Sequence, residues 1–404
     1  MGDWAPQYDV AVVGGGPSGA SAATRLARCG LRALVLERSP MPRPKPCAGA
    51  LSERARRLLE VPIPDSIIDV EINTVRMHVH GQVMRAGLGV RFATLVTRSR
   101  FDEFLLREAS RAGASVEWAN VVAMRVECSG VVLQTENGER TARCLILCDG
   151  ARGRLSRTIR PADPPNAQGL FVEAEIAAGA PDPLAHLKGG IDLFLGVTRT
   201  GYGWLFHHGS YYSLGVGGIR SDMREPARTL RRFAREVGLE PNDLRMRACP
   251  IPCGGMRRRI VAERILLAGD AAGFADPFSW EGLFYAIRSG QLAAEAATKA
   301  CTSGDFSEHS LAWYANRCEE DFAADLRAAL HLARIVARWP QVFSWLVRNR
   351  SALVETYLQV PLGTQTYRRF LHHLPLRAPC WVLFHRSKRT PREKTRGEVA
   401  TPQT

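Results

Sequence analysis

The hydrophobic pattern of the chain is clearest near its beginning. Residues 8–13 form a short apolar run, typical of a β-strand. A glycine-rich turn follows at 14–19, then a helical stretch over 20–29 and a second apolar strand over 32–36. This order predicts a βαβ unit with a parallel sheet.

The glycine spacing of this turn predicts a dinucleotide site. Gly14 permits the tight turn, Gly16 lets the backbone approach a pyrophosphate, and Gly19 lets the helix pack closely on the strand. The amides at the start of the helix would face the phosphates. Glu37 ends the second strand, where a carboxylate can accept hydrogen bonds from ribose hydroxyls. The pattern is found once, which indicates a single dinucleotide and disfavours disulfide reductases with two nucleotide domains.

The pattern changes along the rest of the chain. A loop broken by prolines covers 39–49, short strands dominate 161–252, and residues 307–385 are mainly helical. We therefore expect an α/β fold. Its parts are a Rossmann-like domain at 1–160 and 253–305, an inserted antiparallel β-sheet substrate domain at 161–252, a C-terminal helical region at 306–385 and a disordered polar tail at 386–404.

Charge narrows the class of partner. The net charge is +14, but the arginines are spread along the chain and no nucleic-acid motif is present, so we expect no nucleic acid. An anionic membrane surface or an anionic cofactor fits this charge, and so does a composition that simply favours arginine. No apolar run approaches the ~20 residues that span a bilayer, so we expect a protein that does not cross a membrane.

The ten cysteines indicate a reducing compartment, since no secretory leader precedes the first strand. We therefore expect a cytoplasmic protein, with peripheral contact to the inner face of the cytoplasmic membrane. Cys144 and Cys148, like Cys249 and Cys253, have a spacing that fits neither a zinc site nor a CxxC redox site. Buried structural thiols and no metal site are the expectation.

Four separated motifs together resemble the FAD-dependent oxidoreductases of the p-hydroxybenzoate hydroxylase type, and specifically their geranylgeranyl reductase branch. They are the opening turn, the RxxFD segment 98–102, the pair Asp149-Gly150 and the pair Gly269-Asp270. The resemblance implies that Arg98 contacts FAD and that the Asp270 carboxylate binds its ribityl chain or ribose. Asp270 could instead only cap the next helix, and the residues after Gly150 depart from the family pattern.

Two further sequence segments indicate the geranylgeranyl reductase branch of this family. The segment 45–49, KPCAG, resembles the KPC-G segment of prenyl reductases, in which the cysteine lies close to the flavin. The segment 202–207, YGWLFH, resembles the YxWxFP signature, with His207 in place of proline and a GxG at 215–217. Its aromatic residues alternate, so they share one face of a strand. Such a face suits an isoprenoid chain, and it also suits ordinary sheet packing.

A flavin-facing loop is implied at residues 276–283, DPFSWEGL. Amides at the start of the following helix would stabilise negative charge on the reduced isoalloxazine. Trp280 stands where the family has glycine, and its bulk can alter access to the flavin. The resemblance as a whole implies that FAD contacts Gly14, Gly16, Pro17, Ser18, Gly19, Glu37, Arg38, Cys47, Ala48, Gly49, Arg98, Val122, Asp270, Gly282 and Leu283, and that substrate contacts Tyr202, Trp204, Phe206 and Trp280.

The expected function is an FAD-dependent reductase that saturates C=C bonds of a geranylgeranyl or other polyprenyl chain on a lipid or pigment, by flavin hydride transfer plus protonation. Cys47 is a candidate acid or gate beside the flavin, because a thiol can donate a proton at neutral pH, or else a small packing residue. Tyr202 and His207 are further candidate proton donors. The alternative is a flavin-dependent monooxygenase or halogenase that acts on an aromatic substrate. A non-catalytic flavoprotein is a third hypothesis.

Partners follow from the same resemblance. Electrons would come from NADPH or from a reduced ferredoxin-type protein, since no second nucleotide fold is apparent. A prenylated lipid resides in a bilayer, so the C-terminal helices are candidates for peripheral contact with the membrane surface through Trp339, Trp345 and Trp381. Burial of these tryptophans against the sheet is the other interpretation.

Overall fold

The computed structural model describes residues 5–179, 182, 184–240, 244–253 and 258–374. Trp381 and the tail at 386–404 lie outside this part of the chain. The strands, in chain order, are β1 (Tyr8–Val13), β2 (Ala33–Glu37), β3 (Ala50–Ser52), β4 (Ile68–Ile72), β5 (Thr74–Val79), β6 (Gln82–Gly87), β7 (Ala93–Val96), β8 (Ser115–Trp118), β9 (Val121–Glu127), β10 (Gly130–Thr135), β11 (Gly138–Leu147), β12 (Gln168–Ala177), β13 (Gly190–Leu195), β14 (Tyr202–His207), β15 (Tyr211–Ile219), β16 (Arg247–Pro252), β17 (Val261–Ala262) and β18 (Ile265–Leu267).

Helices cover the first sheet and form the C-terminal part of the described chain. They are α1 (Pro17–Arg28), α2 (Glu53–Arg56), α3 (Arg98–Arg111), α4 (Ser156–Ile159), α5 (Pro226–Glu236), α6 (Leu283–Ser303), α7 (Glu308–Cys318), α8 (Ala324–Arg338), α9 (Pro340–Asn349), α10 (Ser351–Leu362) and α11 (Tyr367–His373), with a π-helical turn, Glu319–Ala323, between α7 and α8. Within the described residues, no helix has both the length and the apolarity needed to cross a bilayer.

The first sheet carries the predicted βαβ unit. Its strand order is β17-β18-β11-β1-β2-β8, and β10 and β9 extend it from β11. β1 pairs in parallel with β2 and β11, so Val12 lies between Val35 and Ile146. All three side chains are buried, which explains why these strands have no polar alternation. The carboxyl ends of β1, β2 and β11 therefore meet at one edge, the usual ligand edge of a parallel sheet.

The second sheet has the order β16-β12-β15-β14-β13-β5-β6. Its pairs are antiparallel except that β13 runs parallel to β5. Two of its strands, β5 and β6, come from residues 74–87, which precede the range in which the sequence predicted this sheet. One face packs on α5 around Phe233 and Leu230. The other face, with Phe171 and Trp204, packs toward Val347 and Leu358 of α9 and α10. The predicted α/β class, with a Rossmann-like sheet, an added antiparallel sheet and C-terminal helices, is confirmed.

Candidate active site

A cavity of about 1120 Å³ lies between the two sheets and the C-terminal helices. At one end it is lined by the glycine turn 14–18 and by Glu37, at the edge where the parallel strands end. At the other end it is lined by α9 and α10, through residues such as Val347 and Leu358. The volume slightly exceeds the usual range for drug-sized ligands, so it can hold a dinucleotide and part of a second molecule.

The backbone of the glycine turn is shaped for a phosphate. Gly14 has a φ of +104°, and a Cβ there would lie 2.3 Å from the carbonyl oxygen of Cys148. A Cβ at Gly19 would lie 1.8 Å from the Gly14 carbonyl oxygen, so the helix can approach the strand only without one. At Gly16, in contrast, the nearest atom would be an Arg43 Nη at 3.6 Å. The space in front of Gly16 is thus open toward the cavity, where a pyrophosphate would approach.

Glu37 lines the cavity and also fixes the glycine turn. One carboxylate oxygen accepts a hydrogen bond from the Gly15 amide at 2.8 Å, and the other accepts one from the Ser39 amide at 3.0 Å. Arg43 lies 3.5 Å away and supplies an opposite charge. The role of Glu37 toward a ribose stays a prediction, because these contacts already hold its carboxylate in place without a ligand.

Arg98 begins α3 and points into the cavity. Its guanidinium donates to both carboxylate oxygens of Asp102, at 2.8 and 3.0 Å, which is the bidentate geometry of a strong ion pair. Although burial opposes the charge, Asp102 and the Cys47 sulfur raise the pKa of Arg98 above its ordinary value. Arg98 therefore stays a fixed positive charge between α3 and the segment 45–49.

A histidine that the sequence analysis did not select holds the segment around Cys47. His208 contacts the Ala48 carbonyl through Nε2 at 3.1 Å and Asp69 through Nδ1 at 2.8 Å. Asp69 in turn accepts a hydrogen bond from Thr97 at 2.8 Å. Because these residues are far apart in sequence, no local pattern indicated the contact. The result is a fixed position for Cys47, whose sulfur also accepts a hydrogen bond from the Gly49 amide at 3.4 Å.

The aromatic residues of β14 share one face, as predicted. Tyr202, Trp204 and Phe206 all line the cavity, together with Trp280. Phe171 of β12 completes this wall, and its ring centroid lies 5.0 Å from that of Trp280 and 5.8 Å from that of Trp204. These are the distances of favourable aromatic packing. The wall therefore presents a continuous apolar surface to the cavity.

The GxG at 215–217 explains how these rings fit on the sheet. A Cβ at Gly215 would lie 2.0 Å from the Trp204 indole, and one at Gly217 would lie 1.9 Å from the Phe171 ring. Each ring thus occupies the space that a Cβ would need at a glycine of the neighbouring strand. The spacing of the two glycines follows from the same period of two that puts the aromatic residues on one face.

His207 does not reach the cavity. It lies on the other face of β14, is 2% exposed, and contacts an Asp182 carboxylate oxygen at 2.8 Å through Nε2. Its Nδ1 accepts a hydrogen bond from the Gly209 amide at 2.9 Å. The structure therefore separates His207 from the other predicted proton donors. The physical reason is the strand parity that the sequence analysis applied to the aromatic residues but not to this histidine.

Tyr202 lies in the cavity wall, but its hydroxyl is already engaged. It donates to the Ser279 carbonyl at 2.8 Å. Burial raises the pKa of Tyr202 well above its ordinary value, and the nearby Tyr357, Asp276 and Cys47 add to this effect. These contacts favour an anchoring role for Tyr202, between the aromatic wall and the loop 276–282.

The loop 276–282 is held by a buried cluster of charges. One carboxylate oxygen of Asp276 accepts hydrogen bonds from the amides of Phe278 and Ser279, at 2.8 and 2.9 Å. Arg54 donates to Glu281 at 2.5 Å and to the Tyr285 hydroxyl at 3.1 Å. The loop ends at Gly282, where α6 begins, so these contacts direct the first amides of the helix. Such amides favour negative charge on a group bound in front of them.

Most of the other predicted cofactor contacts lie in the cavity wall. They are Pro17, Ser18, Arg38, Ala48, Asp270 and Leu283, and a Cβ at Gly282 would lie 3.5 Å from a carboxylate oxygen of Asp270. Val122 differs, because its side chain is 52% exposed and its neighbour Val121 lines the cavity instead.

The environment of the paired cysteines bears on their packing. Among the described residues, no group of His, Cys, Asp and Glu side chains is arranged to hold a metal ion. Cys144 and Cys253 are buried free thiols, and burial raises the pKa of each to about 12. They are therefore protonated packing residues at neutral pH.

The residues of the first half of the cavity fit FAD. The turn has the steric form of a pyrophosphate cradle, and Asp270 lies beside the start of α6. Two buried polar atoms of the wall, Arg43 Nε and Asp149 Oδ1, have no hydrogen-bond partner among the described residues. Polar atoms of this kind are expected to be paired in a native protein, so a polar ligand at this end of the cavity would satisfy them.

Comparison with known proteins agrees with this arrangement. Residues 7–200 match the FAD binding domain family. The chain is 30% identical to the geranylgeranyl diphosphate reductase of Rhodobacter capsulatus over 325 residues, 76% of this chain and 79% of the relative. It is also 30% identical to the menaquinone reductase of Mycolicibacterium smegmatis over 374 residues, 86% of this chain and 89% of the relative.

Solved structures show the same fold. A geranylgeranyl bacteriochlorophyll reductase-like protein of Thermoplasma acidophilum superposes with a TM-score of 0.78 at 20% identity, over 94% of this chain and 100% of that protein. A halogenase in complex with FAD superposes with a TM-score of 0.67 at 19% identity, over 90% of this chain and 85% of the halogenase. The chain belongs to the geranylgeranyl reductase family of FAD-dependent oxidoreductases, and FAD is its cofactor.

Proposed function

We propose that this protein is an FAD-dependent reductase that saturates C=C bonds of a geranylgeranyl or other polyprenyl chain on a lipid or pigment. The observation that carries this proposal is the continuity of the cavity. One space joins the cofactor cradle at the glycine turn to the aromatic wall of Phe171 and Trp204 and then to α9 and α10. A long apolar chain can lie along this wall with one of its double bonds beside the cofactor.

The residues that line the cavity have separate roles in the proposed reaction. FAD held at the glycine turn would supply the hydride chemistry for the double bond. The aromatic wall orients the chain and excludes water, which would otherwise compete with the substrate for the site. Cys47 lies in the same cavity, where it acts as an acid or as a gate beside the flavin, while Tyr202 anchors the loop 276–282.

The test of this function is product analysis by mass spectrometry. Dithionite-reduced holoprotein is incubated anaerobically with geranylgeranyl diphosphate, and a parallel sample is incubated in air with NADPH. We expect products that are heavier by two hydrogens for each double bond reduced, with FAD-free protein as the control. Oxygen insertion or halogenation seen only in the aerobic sample would contradict the proposal and would indicate a monooxygenase or halogenase.

The electron donor is proposed to be NADPH or a reduced ferredoxin-type protein, both of which are anionic. Basic side chains line the cavity, among them Lys45, Arg152 and Arg199, and the net charge of +14 favours association with either donor. Anaerobic mixing separates the two, because NADPH alone would bleach the flavin absorbance only if it is the donor. Bleaching that requires an added reduced ferredoxin would identify the protein donor.

Peripheral contact with a membrane is proposed at the junction of α8 and α9. Trp339 is 46% exposed and Trp345 is 36% exposed, and Arg338 lies over the Trp339 ring at 5.9 Å. The neighbouring residues Pro340 and Phe343 line the cavity. A tryptophan beside arginine at a cavity wall is typical of a surface that enters the headgroup region of a bilayer.

Replacing Trp339 by serine is therefore expected to weaken binding to vesicles that contain anionic phospholipid, by roughly fivefold to tenfold. The reason is that burial of a large apolar side chain is worth about 1.5–3 kcal/mol when it is complete. Vesicle co-sedimentation at low salt measures the effect. Trp118→Ser is the matched control, since Trp118 is 45% exposed on β8 of the first sheet. Equal binding by both variants would contradict the proposed surface.

A further inference from the structure

A buried carboxyl group that the proposed mechanism has not used lies in the aromatic wall. Glu173 is on β12, two residues after Phe171, so the two side chains share the face of the strand that lines the cavity. Glu173 is only 5% exposed. Among the described residues, it is the one carboxylate of the second sheet that lines this cavity. Carboxyl groups are seldom buried without a role, because burial of their charge is costly.

The neighbours of Glu173 place it between the cofactor side and the substrate side of the cavity. On β15 it lies opposite Gly215, the residue on which the Trp204 indole rests. On the cofactor side it lies near the backbone amide of Cys47, which lowers its pKa. A double bond lying on Trp204 beside the cofactor would therefore be close to this carboxyl group.

Burial shifts the pKa of Glu173 into the neutral range, and the charges around it adjust that shift. Burial raises the pKa of Glu173 to about 7, and the nearby Glu175 acts in the same direction. The Cys47 amide and the positive charges of Arg247 and Arg98 oppose this rise. Cys249 of β16 is a further titratable neighbour. A group with this pKa is about half protonated at neutral pH, which is the condition that general acid catalysis requires.

We propose that Glu173 is the acid that protonates the second carbon of the double bond. This inference rests on the proposed reductase function. The hydride from reduced FAD forms a C–H bond at one carbon, and the proton from the Glu173 O–H group forms a C–H bond at the other as the π bond is consumed. FAD is thereby oxidised by two electrons, which the NADPH or ferredoxin-type donor restores. Glu173 is left as a carboxylate and regains a proton from solvent.

The other candidate donors in the cavity are less suited to this step. The Tyr202 proton is held by the Ser279 carbonyl. The Cys47 sulfur already accepts a hydrogen bond from the Gly49 amide and interacts with the guanidinium of Arg98. With Glu173 as the acid, Cys47 takes the role of the gate beside the flavin.

The first test follows oxidation of the dithionite-reduced holoprotein by geranylgeranyl diphosphate across pH. For the wild-type protein the rate constant should fall as pH rises through about 7, because the acid form of Glu173 is lost. Glu173→Gln should lower the plateau by about 10²-fold and abolish this pH dependence. Glu173→Asp should react more slowly but keep the pH dependence of the rate constant. Cys47→Ser should keep that pH dependence as well.

The matched control is Glu175→Gln, on the same strand and exposed to solvent. It should keep the plateau rate and move the midpoint to lower pH, because the like charge that raises the pKa of Glu173 is gone. An unchanged pH dependence in Glu173→Gln would overturn the proposal, and so would its loss in Cys47→Ser.

The second test needs no substrate and no cofactor. Between the unfolded value of 4.5 and the folded value of about 7, the folded protein binds more protons at Glu173 than the unfolded chain does, so its stability falls as pH rises. Glu173→Gln lacks this group. The difference between the urea midpoint of Glu173→Gln and that of the wild-type protein should therefore become more positive between pH 5 and pH 8. If this difference in urea midpoint is the same at pH 5 and pH 8, the raised pKa of Glu173 on which the proposal depends is contradicted.

The two tests separate the proposal from the proposed function. If the wild-type protein transfers no hydrogen to the prenyl chain, the proposed function fails, and the role of Glu173 fails with it. If the wild-type protein reduces the chain and Glu173→Gln does so with the same rate and pH profile, only the role of Glu173 fails.

Discussion

Replacement of Gly14 by alanine is expected to abolish FAD binding and to lower the free energy of unfolding by about 2–6 kcal/mol. Alanine at a φ of +104° is strained by about 1–3 kcal/mol, and its Cβ would lie 2.3 Å from the Cys148 carbonyl oxygen. Relief of that contact requires the strand or the turn to move, at a cost of about 1–3 kcal/mol. The moved turn no longer fits a pyrophosphate. Urea denaturation of the FAD-free protein and flavin absorbance after reconstitution measure the two effects.

Gly16→Ala is the matched control, in the same turn. Gly16 has a φ of −72°, which any residue adopts, and a Cβ there would have only an Arg43 Nη at 3.6 Å. The unfolding free energy should therefore change by less than about 0.5 kcal/mol. The added methyl group stands in the open space through which the pyrophosphate would approach, so FAD affinity should fall at least about tenfold. Wild-type FAD affinity in Gly16→Ala would contradict the predicted position of the pyrophosphate.

The second large effect is expected at the buried charge cluster of Arg54. Arg54 pairs with Glu281, lies 3.9 Å from Asp276, and stacks over the Phe284 ring at 4.4 Å. Arg54→Met keeps much of the apolar packing but leaves the buried carboxylate of Asp276 and the partly buried carboxylate of Glu281 without their cation. Breaking a buried ion pair in this way costs about 3–5 kcal/mol. Because Glu281 precedes the start of α6, the FAD content of the variant should fall as well.

The loss of stability in Arg54→Met should depend on pH, and the direction of that dependence follows from Asp276. Burial raises the pKa of Asp276 above its ordinary value, and Arg54 acts against that rise. In Arg54→Met the pKa of Asp276 rises further, so the folded protein takes up a proton more readily than the unfolded chain does. The loss of stability is then largest at high pH and shrinks as pH falls toward the range in which the carboxyls are protonated. Urea denaturation at pH 5 and pH 8 measures the difference.

Arg57→Met serves as the control for Arg54. Arg57 lies three residues after Arg54, is 57% exposed and pairs with Glu53 at 3.5 Å. Because the cation of this pair is in solvent, the pair should contribute only about 0–1 kcal/mol. Similar losses of stability for the two variants would show that the Arg54 cluster has no special role in holding the loop 276–282.

The sequence predicted the cofactor half of the site because its signals are local. The glycine turn at 14–19, the helix start at Arg98 and the alternating aromatic residues of β14 each lie within one short segment. In such a segment the backbone period fixes which side chains share a face. The placement of Tyr202, Trp204 and Phe206 in one wall followed from that period alone, and strand parity applied to His207 would also have placed it on the opposite face.

Tertiary structure decided the part of the cavity around the aromatic wall. The contact between His208 and Ala48, the packing of Phe171 on Gly217 and the nearness of Glu173 to Cys47 each join segments that are distant in sequence. Strand register and sheet order set these contacts, and no periodic pattern within one segment encodes which strand will be its neighbour. The pKa of Glu173 depends on the same arrangement, because it is set by burial and by charges from other elements. The sequence by itself therefore determined the cofactor and the face that the aromatic residues share, whereas the long-range packing of the second sheet decided which carboxyl group lies in the aromatic wall of the cavity.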